Sequence, residues 1–336
     1  MLILSGEEVR RFLAGRELEL IDAARSVYET HAEGRGSLPH STFLRFPGDS
    51  GNRIIALPAY VGGEFRVAGV KWISSFPGNL ERGLDRASAV IVLNSTETGR
   101  PLAFLEGSVI SAVRTAASAA LAARALWAGD PPNAIGMVGC GPINFEIARF
   151  IRAALPTVEQ LFVHDLDIDR ATLFGKKCRE ELGFAVEILR NLKAALGISR
   201  LISFATTAVA PHVNDPAVFL PGATILHISL RDLAPEVILA HDNVVDDIDH
   251  VCRAQTSIHI AEQFVGNRDF IRCALADIIL GRAVARKDAE RAVIFSPFGL
   301  GSLDVAVGKL VYELATQRGG GATVSSFLPE PWSQKQ

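Results

Sequence analysis

The sequence predicts an α/β fold: an α+β region of helix and antiparallel hairpins, then a Rossmann-type, doubly wound parallel sheet. Three observations predict it. The 336 residues exceed the roughly 150 of one average domain, so two domains are expected. Before residue 115, β-rich runs come in pairs around turn signals. After residue 134, short apolar strands alternate with helical stretches, the pattern of parallel βαβ units.

The elements follow in order. Ser5 is a helix N-cap with Glu7 and Glu8 in the first turn, where carboxylates complement the helix dipole. Apolar residues then recur at helical spacing through Val9, Leu20, Ile21, Ala24 and Val27, so one helix is expected. Runs 53–61 (RIIALPAYV) and 65–75 (FRVAGVKWISS) flank Gly62 and Gly63, a hairpin signal. Runs 86–94 (RASAVIVLN) and 101–106 (PLAFLE) form a second hairpin around STETGR. An alanine-rich helix is predicted over 115–127, ended by Gly129 and two prolines. Strands are expected at 134–138, 160–164, 185–189, 201–205, 223–228 and 292–296, with helices at 142–155 and 167–182. A last helix at 302–317 is apolar at Leu303, Val307, Leu310, Val311 and Leu314.

Composition removes several classes of function. At 49% hydrophobic and 21% charged residues the chain is globular. A net charge of −3 gives no electrostatic case for nucleic acid or an anionic membrane. The most apolar stretch, 108–127, contains Arg114 and Arg124, against a membrane span. The start has no basic region and too short an apolar run for a signal peptide. Cys140, Cys178, Cys252 and Cys273 form no CxxC pair, so reduced thiols in a cytoplasmic protein are expected.

Residues 136–144 (GMVGCGPIN) follow a predicted strand and open a predicted helix. They give G-x-G-x-x-N, with Asn144 where the dinucleotide fingerprint has its third glycine. Gly139 permits the tight turn, and Gly141 lets backbone approach a pyrophosphate on the helix N-terminus beside Pro142 and Ile143. Asp165 ends the second strand of this region, 24 residues after Gly141. A carboxylate there accepts from a ribose diol and repels a 2′-phosphate, so NAD is favoured over NADP. Arg170 lies nearby and softens that preference. The structural alternative is a plain tight turn, with Asp165 capping the next helix. Thr206 and Thr207 end the fourth strand, and 296–299 (SPFG, with Ser296 and Gly299) the last, both at the edge where a dinucleotide lies.

Arg45, Arg53, Lys71, Arg86 and Arg114 are cations on strand-like segments or just before the alanine-rich helix. Arg53 and Lys71 are 18 apart; across an odd-numbered loop they would sit opposite one another on one sheet face. Converging cations read as a carboxylate pocket, the alternative being solvated charges or ion pairs. The run 246–250 (DDIDH) fits no zinc spacing and reads as a solvated acidic loop, so no metal is expected. His227 on a buried strand reads as a hydrogen-bonded core histidine. His40 is divided between substrate contact and structural residue.

The segments 53–58 (RIIALP), 69–72 (GVKW), 89–94 (AVIVLN), 98–101 (TGRP) and 114–118 (RTAAS) resemble the ornithine cyclodeaminase/mu-crystallin family over nearly the whole chain. Segments 71–79 (KWISSFPGN), 84–89 (LDRASA) and 227–232 (HISLRD) are similar to its branch that makes 2,3-diaminopropionate for siderophores and peptide antibiotics. The resemblance implies a homodimer. Residues 1–114 plus about 303–336 would bind substrate and dimerise, and 115–302 would form the inserted NAD-binding domain. It implies that Arg53, Lys71 and Arg114 hold a substrate carboxylate and that Ser229 lies with the cofactor residues. Cyclodeaminases place a catalytic aspartate after the strand ending here at Ile228. This chain reads SLRD at 229–232, with Arg231 at that place, which argues against ornithine cyclisation.

An amino-acid-derived polycarboxylate, N-(2-amino-2-carboxyethyl)-L-glutamate, suits the charges better. Arg86, Arg231 or Arg45 would serve its further carboxylates. The expected reaction moves hydride from the glutamyl Cα to NAD+, and the imine hydrolyses to 2-oxoglutarate and 2,3-diaminopropionate. Lys71, its basicity lowered by neighbouring arginines, or Asp232 would be the base. The alternatives are cyclodeamination, alanine dehydrogenation or ketimine reduction, and a non-catalytic, dinucleotide-binding mu-crystallin-like protein.

Overall fold

The computed structural model describes residues 1–330 and Trp332. In chain order it runs β1 (Leu2–Leu4), α1 (Gly6–Leu13), α2 (Glu17–Ala32), β2 (Gly36–Ser37), β3 (Thr42–Phe46), β4 (Asp49–Val61), β5 (Val67–Ser75), β6 (Ala87–Asn94), β7 (Pro101–Glu106) and α3 (Ser108–Leu126). Then follow β8 (Ala134–Val138), α4 (Pro142–Ala154), β9 (Gln160–His164), α5 (Ile168–Leu182), β10 (Ala185–Ile188), α6 (Leu192–Leu196), β11 (Leu201–Phe204) and β12 (Thr224–His227). The remaining elements are α7 (Pro235–Ala240), β13 (Asp242–Val245), α8 (Ile248–Val251), α9 (Ser257–Val265), β14 (Ile271–Ala274), α10 (Leu275–Ile279), β15 (Val293–Ser296), α11 (Gly301–Arg318) and β16 (Ala322–Thr323).

Two compact units emerge. The first is Met1–Arg16, Glu33–Ser111 and Gly301–Gln336. Its sheet has the order β16-β1-β7-β6-β5-β4-β2, with β3 also on β4. All pairs are antiparallel except β1 with β7. Alternation gives the sheet two characters. Val61, Val67, Lys71, Ile91, Leu93 and Leu105 point inward and are buried, where α11 packs across β4, β5 and β6. The opposite face carries Leu44, Tyr60, Trp72 and Phe104, each exposed despite its apolar bulk.

The second unit is Glu17–Ala32 and Ala112–Leu300. Its eight strands are all parallel, in the order β10-β9-β8-β11-β12-β15-β13-β14. Strand order reverses between β8 and β11, the switch point where such sheets open a crevice. The α/β class and its parallel sheet match the sequence expectation.

Three expectations change. The expected N-terminal helix is two helices, broken after Leu13 by Ala14 and by Gly15 at φ +72°, a left-handed turn suited to glycine. Ser5 and Glu8 do form a reciprocal capping box on α1. The second helix, α2, belongs to the other unit, because Leu20, Ile21, Ala24, Val27 and Tyr28 are buried and α2 packs on α4 and α10. The alanine-rich helix starts at Ser108, seven residues early. The Glu106 carboxylate accepts from the Ser108 amide (2.7 Å) and the Val109 amide (3.1 Å), satisfying two first-turn donors. Arg114 is therefore inside α3, and not ahead of it. By length and composition α3 could cross a membrane, but it is mostly buried within the fold.

Candidate active site

The glycine turn between β8 and α4 is shaped for a dinucleotide. Gly139 has φ +91°, and a Cβ there would meet the Ala205 carbonyl oxygen at 2.5 Å, so only glycine fits. Gly141 is different: a Cβ there would meet nothing within 4 Å. It caps α4, so the free space sits on a helix N-terminus carrying unpaired amides and the positive dipole end. Pro142 and Ile143 open that helix. Asn144 is wholly buried and explains the missing third glycine. Its amide donates to the Val138 carbonyl (3.0 Å) and the Gly139 carbonyl (2.7 Å), and its oxygen accepts from Ser203 Oγ (2.7 Å). It rivets the turn to β11.

Asp165 stands just past β9. Its carboxylate accepts from the Cys140 amide (2.7 Å) and the Asp167 amide (3.0 Å). The cap of α5 is Asp167, and not Asp165. Asp165 thus braces the glycine turn while two oxygens keep lone pairs for a ribose diol. Leu166 beside it is 99% exposed, an apolar surface next to that carboxylate. These residues fit a dinucleotide without a 2′-phosphate.

In the first unit, Lys71 on β5 is 2% exposed and Asp304 on α11 is 0% exposed. Lys71 Nζ lies 2.7 Å from Asp304 Oδ2 and donates to Ser111 Oγ at 3.2 Å. Lys71 thus pairs with a carboxylate, which holds the ammonium charge in place in the resting structure. Asp304 was missed. Its signal was a lone carboxylate in the otherwise apolar first turns of the last helix.

Arg53 shares the inner face with Lys71 but does not face it. The register sets Leu57 opposite Lys71 and Ser75 opposite Arg53, four residues away, because the intervening loop is longer than the Gly62-Gly63 pair. Arg45 lies opposite Arg53; it is exposed and stacks on Phe43, 5.5 Å from the ring centroid. Arg86 immediately precedes β6 at the same end of the sheet. His40 is exposed in the segment before β3.

In the second unit, Asp232 is 0% exposed. It accepts from Thr206 Oγ1 and Ser229 Oγ, with His212 Nε2 at 3.1 Å and His227 Nε2 at 3.3 Å. Burial opposes its ionisation but is outweighed by the His212, His227 and Ser229 hydrogen bonds, which hold it well below the usual carboxylate range. A buried carboxylate so held is a fixed anion, and the expectation of Asp232 as a base is corrected. Ser296 is corrected too: it is wholly buried, with Oγ 3.1 Å from His227 Nδ1, so it supports the strand ends and is not open to a ligand. His227 is the buried, hydrogen-bonded histidine that its strand suggested. Thr207 is exposed.

Arg231 is engaged by the backbone of the 254–255 turn. It donates to the Ala254 carbonyl (2.8 Å) and the Gln255 carbonyl (3.2 Å), stapling two residues of positive φ. It is corrected from substrate ligand to loop staple. The acidic run is not a solvated loop either. Asp246 is buried and accepts from the amides of Phe298 (2.8 Å) and Gly299 (2.7 Å). Burial pushes it up to about 6. Asp247 pairs with His31 at 2.9 Å. Gly299, at φ +93°, leaves room for Arg114, whose Nη1 would lie 2.8 Å from a Cβ there. Arg114 is buried, so the loop held by Asp246 shapes its pocket. Among the described residues no cluster of three or more ligating side chains suits a metal.

A Rossmann sheet with a cleared helix N-terminus, joined in one chain to a sheet bearing a buried lysine, defines a two-unit dinucleotide-binding oxidoreductase. The ornithine cyclodeaminase/mu-crystallin family model matches residues 6–319, and the chain belongs to that family. It is 28% identical to an N-((2S)-2-amino-2-carboxyethyl)-L-glutamate dehydrogenase of Staphylococcus aureus, over 97% of this chain and 99% of that protein. Among solved structures, it is similar to the Δ1-pyrroline-2-carboxylate reductase of Thermococcus litoralis in complex with NADH and L-proline. There the TM-score is 0.88 at 26% identity, over 96% of this chain and 100% of that one. An archaeal alanine dehydrogenase dimer with bound NAD gives a TM-score of 0.85 at 27% identity, over 97% and 99%.

Proposed function

We propose that this protein is an NAD-dependent oxidoreductase of amino-acid CH–NH groups that cleaves N-(2-amino-2-carboxyethyl)-L-glutamate to 2,3-diaminopropionate and 2-oxoglutarate. One observation carries the choice among sibling reactions. The only carboxylate in the 229–232 turn, Asp232, is sealed inside among His212, His227, Thr206 and Ser229. It is turned away from any substrate ammonium such as ornithine's. Meanwhile the first unit presents cations, which suit a polycarboxylate. The likeness to the staphylococcal dehydrogenase over its full length supports the same substrate. Siderophore or peptide-antibiotic biosynthesis, in the cytoplasm, is the corresponding setting.

The glycine turn with Gly139, Gly141, Pro142 and Ile143 holds the pyrophosphate, and Asp165 the adenosine ribose. NAD+, when bound, supplies the acceptor for the hydride leaving the glutamyl Cα. Lys71 and Arg53 orient substrate carboxylate, and Arg114 is the further carboxylate-binding cation that the family resemblance implies. Lys71 enters the step as the neutral amine, its own proton first lost to solvent; Nζ then takes the proton of the substrate amine, and Asp304 stabilises the ammonium that is re-formed. Water then adds to the substrate C=N bond, and the carbinolamine separates into the two products. The apolar face with Leu44, Tyr60, Trp72 and Phe104 is the homodimer surface in this reading.

The test is NADH formation with purified protein, NAD+ and the conjugate, with ornithine, alanine and glutamate in parallel. Turnover of the conjugate with both products is expected. Activity on a simple amino acid alone moves the function to a sibling reaction, and bound NAD without turnover to a storage or binding role.

A further inference from the structure

The Nε of Arg86 is buried with no hydrogen-bond partner among the described residues. A buried donor left unmet destabilises the fold, more so when it is charged. The charged neighbour of Arg86 is another cation: burial first, and Arg53 second, pull its guanidinium below the ordinary value. The register brings the two together. Arg53 faces Ser75, and Ser75 faces Ala87. Arg86 directly precedes Ala87, and its carbonyl accepts from the Phe76 amide at 2.8 Å. With strands about 4.8 Å apart, the two backbones lie within about 10 Å at one sheet end. Lys71 is four residues further along β5 from Ser75, about 13 Å at the usual rise. One carboxylate does not span that distance, so cations at the Arg53 end of the sheet and Lys71 would hold separate anionic groups.

We propose that Arg86, beside Arg53, forms a subsite for a second carboxylate, distinct from the one Lys71 holds. This subsite selects amino-acid conjugates with a remote carboxylate over alanine- or proline-sized monocarboxylates. It rests on the active-site reading above and narrows it. Of the three arginines weighed from the sequence, Arg231 is engaged by carbonyls and Arg45 is an exposed residue stacked on Phe43. Arg86 alone combines burial with an unmet donor.

Arg86→Gln and Arg86→Lys are compared with the unaltered protein, their melting temperatures confirming the fold. Three substrates are used: the conjugate, N-(2-aminoethyl)-L-glutamate and N-(2-amino-2-carboxyethyl)-L-norvaline. The second lacks the carboxylate of the amino-carboxyethyl arm, and the third lacks the side-chain carboxylate. Arg86→Gln is expected to raise KM for the conjugate at least about tenfold, with less change in kcat and none in NAD affinity; Arg86→Lys recovers part. The loss disappears on whichever analogue lacks the carboxylate that Arg86 holds. Equal loss on all three substrates, or none, overturns the subsite while leaving the reaction standing. If the unaltered protein does not turn over the conjugate, the reaction reading falls and the subsite is tested by thermal shift. Stabilisation by 2-oxoglutarate over pyruvate that depends on Arg86 upholds it, and equal stabilisation of variant and unaltered protein overturns it.

Discussion

Replacing Lys71 by methionine tests the buried pair at the centre of the first unit. Lys71 and Asp304 are 2% and 0% exposed and 2.7 Å apart, so neither charge can turn to water when the other is removed. Breaking such a pair costs about 3–5 kcal/mol, because one ion is left uncompensated in a poor dielectric. For a unit of this size that is roughly 10 °C in melting temperature. Asp304→Leu should cost a similar amount. The double variant, apolar on both sides, should recover most of the loss, since buried pairs exchanged for apolar groups are often neutral or better. Urea and thermal unfolding of the four proteins measure the cycle. In parallel, Lys71→Met should abolish turnover and leave NAD affinity nearly unchanged, because the dinucleotide turn lies elsewhere in the chain. Strictly additive stability losses would refute the pairing, and surviving turnover would remove Lys71 from the chemistry.

Three further outcomes are expected. Gly139→Ala should destabilise the fold, its Cβ meeting a carbonyl oxygen at 2.5 Å, whereas Gly141→Ala should keep the melting temperature and weaken NAD binding in titration. Asn144→Gly should cost about 1–3 kcal/mol by stranding Ser203 Oγ and two carbonyls, seen as a lower urea midpoint with the same slope. Asp246 ties stability to acidity. Its folded value of about 6 exceeds the usual carboxylate value of about 3.9, so between them the folded state keeps a proton that the unfolded state has lost. Its contribution therefore falls as pH rises through that window, by about 3 kcal/mol in total. Asp246→Asn should lose this component of the pH dependence; an unchanged pH profile would count against it.

Local patterns made much of the molecule legible. The β9 strand, the hairpins and the parallel alternation stand in the periodicity of apolar residues, and the glycine turn in three residues. What stayed hidden depends on chain segments far apart in sequence. Asp304 pairs with a lysine more than two hundred positions earlier. Asp246 looked solvated because its run is acidic, and only the returning 298–299 backbone buries it. Arg231 looked like a ligand until the 254–255 carbonyls were in place. The early start of α3 was hidden because its cap is a carboxylate, Glu106, belonging to the preceding strand. Strands β13 (DNVV) and β14 (IRCA) were hidden because Asp242, Asn243 and Arg272 interrupt their short apolar runs.

The pairing of β1 with β16, where Leu2 meets Thr323 and Ile3 meets Ala322, delays closure of the first sheet until the chain has been made through residue 323. The first sheet waits for α11 to cover its inner face and for β16 to cover its edge, while the parallel-stranded unit is already off the ribosome. During that interval β4 to β7 are a hairpin stack with a lysine exposed on the side that will become interior. Such late-closing contacts slow folding and leave an edge open to other chains. They also leave Met1 beside Val324, so a circularly permuted gene, joined there and opened at a surface turn such as 95–100, should yield the same fold, with α11, β16 and β1 to β6 consecutive and β7 leading the new chain.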